Sequence, residues 1–521
     1  MSKKVVTYSL LFLFLCTYTY HFKLNFDDIA KPPSSTWGKE TLISTGDLNT
    51  TPKIIKYKEF SVIAHNYGNN LKVMIINSTG KKVKEKTLSS LNNLPKNIGL
   101  NADDNSIYLS WVESMDSINT INIITMDKDL NISNENHISN IEEKIQIGSD
   151  VMAIAYKDKI ELKDFKLNKN IIVEENKPIR ISGTKYKDKY IICYSGGGIY
   201  EYKYFTVENG VAEKPKTIGN ITGMFRLNFV GSTVVTDGKY GYILNPYLYL
   251  GSYGGVRQLR FTLGDENNSD IKDLATENGI KGTLSDVNAN LSGSEAKIIA
   301  STDIRADKKR TYPNISEYTI IDGIASKPVV VSKTRSLSMR PDIYEDVAVF
   351  CDFIGDKSKV YMTSKNEEYK KLNNGNRRNE YMLALRDTSE EVLYTAVYII
   401  VYGLLWLIPS ICFASLVCLL EYKLNEKIKK IAFVVVYMFY LAIKLFFIYK
   451  VSFNMYAYFL PTYLTPILGG ILVSIVSVVS CIYGYKSYTE DLEYNVIAKS
   501  ISPAFIMDTF LTLMIFIPFL K

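Results

Sequence analysis

The sequence predicts a mostly β, ring-shaped domain of seven repeated units outside the cytosol, joined to an α-helical transmembrane bundle. Three observations carry this reading. Residues from about 25 to 390 are polar, whereas those from about 392 to 520 are overwhelmingly apolar. A short basic start, Met1-Ser2-Lys3-Lys4, leads straight into an apolar run. Within the polar region a loose unit of four short strands recurs about seven times. A chain of 521 residues has room for more than one domain, and the break in composition divides it into a watery part and a lipidic part.

The apolar run Val5–Phe22 has the charge-then-apolar order of an export signal. No small-x-small cleavage site follows it, and Leu15 stands before Cys16 where a lipoprotein site wants a small residue. Residues 1–22 are therefore expected to stay as an uncleaved signal anchor, with 23–38 as a linker.

The repeats fill 39–372. Thr51-Pro52-Lys53-Ile54 precedes Phe60–His65 and Leu71–Asn77, and Pro95-Lys96-Asn97-Ile98 precedes Ser106–Val112 and Asn119–Met126. Gln146–Ser149, Pro178-Ile179-Arg180, Phe225–Phe229, Asp286–Asn290 and Pro341-Asp342-Ile343 open the other five units. In the fifth, Thr233–Thr236 and Tyr240–Leu244 are expected as the second and third strands. Evenly spaced short strands with turn signals mean a sandwich, a barrel or a propeller, and four strands per unit favour a propeller. Each unit buries its faces against its neighbours, so the ring needs all of them. Lys39–Ser44 is expected to supply the outer strand of the last blade and close it.

In strand rhythm this region resembles the broad β-propeller class, of the kind seen in sialidase-like and WD40-like repeats. The Asp-box (Ser-x-Asp-x-Gly-x-Thr-Trp) and the Trp-Asp blade ending are absent, the tryptophans being Trp37, Trp111 and Trp406. The resemblance implies that a ligand binds near the axis, where the innermost strands converge. Arg180, Arg226 and Arg340 come near the start of that strand in three units. Sialidase-like propellers clamp a carboxylate with three arginines, because each guanidinium offers a planar fork of donors; the competing reading is three rim arginines in a Lys-rich domain.

Other signals point to structure. Ser195-Gly196-Gly197-Gly198 reads as a hairpin turn rather than a phosphate loop. Cys193 and Cys351 occupy the same strand of units four and seven, too far apart around a ring to bond, and read as buried free thiols. The 3 histidines lack metal-ligand spacing, so no metal or cofactor is expected. The net charge of +7 is small for this size and forms no basic stripe, which excludes nucleic acid as a partner.

Residues 373–391 are charged and helix-friendly, a juxtamembrane helix rising from the first C-terminal span. Four apolar runs follow: 392–420, 431–449, 459–485 and 500–520. Each is long enough to cross about 30 Å of hydrocarbon. Pro409 predicts a kink in the first, and Pro461, Pro466, Gly469 and Gly470 a broken or closely packed start to the third. Placing Lys3, Lys4 and the Lys423–Lys430 loop in the cytosol gives one consistent path, with the large domain outside and Lys521 outside too, or in the cytosol if the last run lies flat or re-enters. Lys444 and Asp508 lie inside spans, where ionisable residues are costly. On that path they sit toward opposite faces of the membrane, and no direct ion pair is expected.

The function expected is that of a multi-pass cell-membrane protein whose extracytoplasmic domain binds or scaffolds. Its partners are the bilayer, another membrane protein and an envelope glycan. A glycan-processing envelope enzyme and a transport-complex subunit are the alternatives. No catalytic motif is present, so a non-enzymatic role is favoured.

Overall fold

The computed structural model describes the chain except residues 1–2, 47–49, 89–92, 117, 197–200, 221–226, 277–283, 290–294, 306–310, 355–356, 456–459, 491–496 and 520–521. It separates into two compact units, Lys31–Gly375 and the pair of segments Met1–Ala30 and Asn376–Lys521.

The first unit is a seven-bladed β-propeller. Its innermost strands are Lys53–Tyr57, Lys96–Ala102, Glu143–Ile147, Ile179–Tyr186, Thr233–Thr236, Leu284–Ala289 and Leu337–Tyr344. Each pairs antiparallel with the strand that follows it, as in a meander. In blade seven the outermost strand comes from the other end of the unit: Thr41–Gly46 pairs with Lys357–Ser364. That closure is the one expected from Lys39–Ser44. Each blade interface has its own apolar cluster. Leu100 and Trp111 meet Ile55 and Val62 between blades one and two, and Ile54 and Met74 meet Val349 and Met362 between blades seven and one. Alternation along each strand supplies one face to each neighbour.

The fifth blade departs from the reading of the sequence. Thr233–Thr236 is its innermost strand rather than its second, and Leu227–Phe229 is a short separate piece paired to the same partner, Tyr240–Tyr249. Residues 230–232 interrupt the inner strand and shift every later strand by one place. The four strands therefore end with Ser252–Thr262 and Asp265–Asp273.

Cys193 and Cys351 are buried and free on the second strands of blades four and seven. Ser195 pairs with Tyr202 across the hairpin that holds the Gly-rich turn, whose residues 197–200 lie outside the described residues.

Lys144 is fully buried between blades two and three and donates to the Ser110 carbonyl (3.2 Å) and hydroxyl (2.7 Å). No acid pairs with it among the described residues, and burial holds its ammonium well below the usual lysine range. An unfolded lysine keeps its proton up to about pH 10, so the folded state is penalised at neutral pH, and more so as the pH falls. Lys144→Met should therefore stabilise the propeller by about 1–3 kcal/mol. A gain in thermal unfolding midpoint that shrinks as the pH rises toward 10 is the expected readout.

The second unit is helical: α1 (Lys3–Ala30), α3 (Arg378–Tyr398), α4 (Leu404–Glu421), α5 (Glu426–Ile448), α6 (Pro466–Glu490) and α7 (Ile497–Phe516). The short helix α2 (Glu367–Asn373) belongs to the propeller. A π-helical turn, Ile399–Gly403, joins α3 to α4, so Arg378–Glu421 is one continuous helix containing Pro409. Among the described residues five helices, Arg378–Glu421 counting as one, are long and apolar enough to cross a membrane. Small residues allow close approach in this unit. A Cβ on Gly484 would lie 2.9 Å from that of Ala504, and one on Gly469 2.5 Å from the Phe453 ring. The span expected from 459 begins at Pro466, a residue whose missing N–H suits the first helical turn.

Candidate functional site

The seven innermost strands start at one end of the propeller and surround a cavity of about 560 Å³. Every blade contributes: Thr51, Asn97, Glu143, Arg180, Ser232, Asp286 and Arg340, in blade order. The chain enters and leaves the propeller at the opposite end, where Gly38 and Tyr369 hydrogen-bond to the last residues of the third strand of blade seven.

Four of these residues share a backbone feature. Asn97, Arg180, Asp286 and Arg340 have φ of +47°, +52°, +48° and +54°. Each sits in a bulge of its inner strand, between Lys96 and Gly99, Ile179 and Ser182, Ser285 and Asn288, and Met339 and Asp342. Bulges re-aim side chains. Asn and Asp tolerate the left-handed region well, but an arginine there costs on the order of 1 kcal/mol. Such strain persists where the surroundings enforce it.

The surroundings here are carboxylates from the preceding blade. Glu143 of blade three accepts from the Ile181 amide at 3.0 Å and from the Arg180 amide. Asp286 of blade six accepts from the Arg340 amide at 3.1 Å. The same device therefore appears twice around the ring, an acid fixing the bulge that carries the next blade's arginine. Two further contacts tie neighbouring inner strands. Asp342 accepts from the Ile54 amide at 3.0 Å and Gln146 from the Leu100 amide at 2.9 Å.

The Arg180 guanidinium lies 5.7 Å from the centre of the Phe229 ring, and its buried Nη1 has no hydrogen-bond partner among the described residues. Arg340 lies 5.3 Å from the centre of the Phe353 ring. The structure thus brings Arg180 and Arg340 to one cavity, whereas Arg226 lies outside the described residues. Glu143, Asp286 and Asn97 were missed from sequence. Asn97 and Asp286 share the bulge position of the two arginines, a polar residue at a repeated place in the unit, whereas Glu143 lies three residues before Gln146, where the sequence opens the third unit.

Burial pushes the Glu143 carboxyl above its usual range, against the pull of the Ile181 and Arg180 amides and of the Arg180 charge. Its proton therefore binds at a higher pH than that of a free glutamate, and uptake removes the negative charge beside Arg180. Affinity for an anionic probe should rise as the pH is lowered from 7 toward 5. Glu143→Gln should bind more tightly at pH 7 and show a flatter profile, as read by titration calorimetry.

In the helical unit, Lys444 and Asp508 form a direct ion pair, Nζ to Oδ2 at 2.7 Å, with both side chains fully buried. This corrects the expectation that they face opposite sides. The span carrying Lys444 does not end near Lys450 but continues as helix to Met455. Lys444 therefore lies about 27 Å of helix from Glu426 and about 16 Å from Met455, at roughly 1.5 Å per residue, and is not near the edge. The ammonium also donates to Ser477 and, at 3.2 Å, to Thr512, while Ser477 donates to Asp508 at 3.1 Å. One turn away Tyr440 and Trp406 both reach the Thr509 hydroxyl at 3.0 Å. No group of three or more metal-ligating side chains occurs among the described residues.

No protein-family model matches the sequence, and neither does any curated protein. Solved propeller structures do. The β-propeller domain of the Trilobed protease from Pyrococcus furiosus aligns at 10% identity over 63% of this chain and 98% of its own, with a TM-score of 0.38. The acylaminoacyl peptidase of Pyrococcus horikoshii aligns at 10% identity over 61% of this chain and 54% of its own (TM-score 0.34). The α-L-arabinanase of Penicillium chrysogenum aligns at 10% over 65% and 97% (TM-score 0.32). Likenesses this remote carry no argument about activity, and the seven-bladed fold rests on the strand pairing of the chain itself.

Proposed function

We propose that this is a membrane-anchored binding protein whose propeller holds an anionic ligand, such as an acidic envelope glycan, at its axial mouth. The observation that carries the reading is the pair Arg180 and Arg340, set on strained bulges of blades four and seven and lining one cavity. A planar fork of charged donors suits a carboxylate or sulfate, and the polar side chains of Asn97, Asn288, Thr51 and Ser232 suit hydroxyls. The cavity volume is that of a small-ligand site.

The Lys423–Lys430 loop and Lys3–Lys4 favour the cytosol, which would leave the propeller outside the cell. In the helical unit the Lys444 ammonium has all three of its donors engaged, which favours a packing role over a transport path. An array of acidic and neutral glycans, probed with the full-length protein in nanodiscs, tests the proposal. Preference for acidic glycans, lost in Arg180→Gln, supports it. Equal binding to neutral glycans, or none to acidic ones, refutes it.

A further inference from the structure

The helical unit carries a second cavity, of about 390 Å³. One wall is α1 from Leu13 to His21, and the other is α6 with the residues just before it, from Tyr463 to Val476. Phe519 closes it, its ring 5.4 Å from that of His21. Cys16, Leu468 and Ile475 are exposed beside it, so the cleft opens on the outer surface of helices long and apolar enough to span a membrane.

Its polarity is graded. The hydroxyls of Tyr20 and Tyr463 meet each other at one end, next to Pro466, where α6 begins. The Thr17 hydroxyl is spent on the Leu13 carbonyl at 2.9 Å. His21 lies beside Tyr20, and beyond these groups the wall is apolar, with Leu13, Leu468, Leu472, Ile475 and Ile515 and the Cys16 thiol. Tyr463 stands just before the start of α6, and tyrosines are enriched at the membrane–water boundary. Below that boundary the medium at an open cleft is hydrocarbon. The walls run roughly 12 Å along α1 and 18 Å from Leu464 to Val476 at about 1.5 Å per residue. That is the depth of one leaflet, about 15 Å of a hydrocarbon core of about 30 Å.

We propose that this cleft binds one acyl chain of a bilayer phospholipid, in the leaflet on the side where α1 ends, with the chain's ester end at Tyr20 and Tyr463. The proposal rests on these helices being membrane spans. The test uses full-length protein in phosphatidylcholine vesicles containing a small fraction of phosphatidylcholine with a photoreactive diazirine in mid-chain. After illumination, cross-linked peptides are mapped. Labelling of Leu13–His21 and Leu464–Val476 should exceed, several-fold, that of the lipid-facing positions Ile431, Val434 and Met438 on α5. Ile475→Trp should remove the excess and leave α5 labelling unchanged. Ile475 is 47% exposed, so the larger ring has room to fold, and Leu472→Phe serves as a second filling variant. Labelling of the cleft no stronger than that of α5, or unchanged in both variants, would overturn the proposal. An unlabelled α5 would overturn the membrane reading with it.

Discussion

Asp508→Ala should destabilise the helical unit by about 3–5 kcal/mol, the usual cost of stripping one partner from a buried pair. The variant leaves the Lys444 ammonium with the Ser477 and Thr512 hydroxyls and the Tyr440 ring, and no countercharge, among the described residues, in a site that no solvent reaches. Charges at such depth are tolerated only when paired. With Ser477 the pair links three helices, because Lys444 is on α5, Ser477 on α6 and Asp508 on α7. Loss of monodisperse protein on heating, followed by size-exclusion chromatography in detergent, reads the effect. Lys444→Met combined with Asp508→Leu should recover most of the loss, since it removes both charges and keeps the volume. A single variant that melts with the wild type would show that the pair does not hold these helices.

Asp342→Ala should cost the propeller about 2–4 kcal/mol, because several buried polar groups lose their acceptor together. Asp342 is 3% exposed and sits where the ring closes. It accepts from the Ile54 amide in blade one, from Asn288 in blade six at 2.6 Å, and from the Lys53 ammonium at 3.4 Å. One carboxylate thus joins three blades. Asp342→Asn keeps an acceptor for the Ile54 amide and should lose less than half as much. Urea unfolding followed by tryptophan fluorescence distinguishes the two, since Trp37 is buried between blades six and seven.

The ring was legible because six units open with a polar turn and an innermost strand that stays one strand, though bulged in blades two, four, six and seven. Blade five was misread because its inner strand is interrupted at 230–232, which made one strand look like two. Arg180 and Arg340 were legible as charges at a repeated position. Their partners were not, because Glu143 and Asp286 accept from backbone amides of the next blade, and a contact between blades leaves no mark in the pattern of either strand. The pairing of Lys444 with Asp508 was hidden for a different reason. Hydropathy ends a span where the polar residues begin, whereas the helix of Lys444 runs on through Lys450.

The most direct test of the central claim is calorimetric titration of the full-length protein with a uronate-bearing oligosaccharide and with its carboxyl-reduced counterpart. Wild type should bind the charged sugar at least tenfold more tightly, a difference of about 1.4 kcal/mol. Arg180→Gln combined with Arg340→Gln should abolish that preference without lowering the unfolding midpoint. Equal affinity for the two sugars, or a preference that survives in the double variant, would contradict anion binding at the propeller mouth.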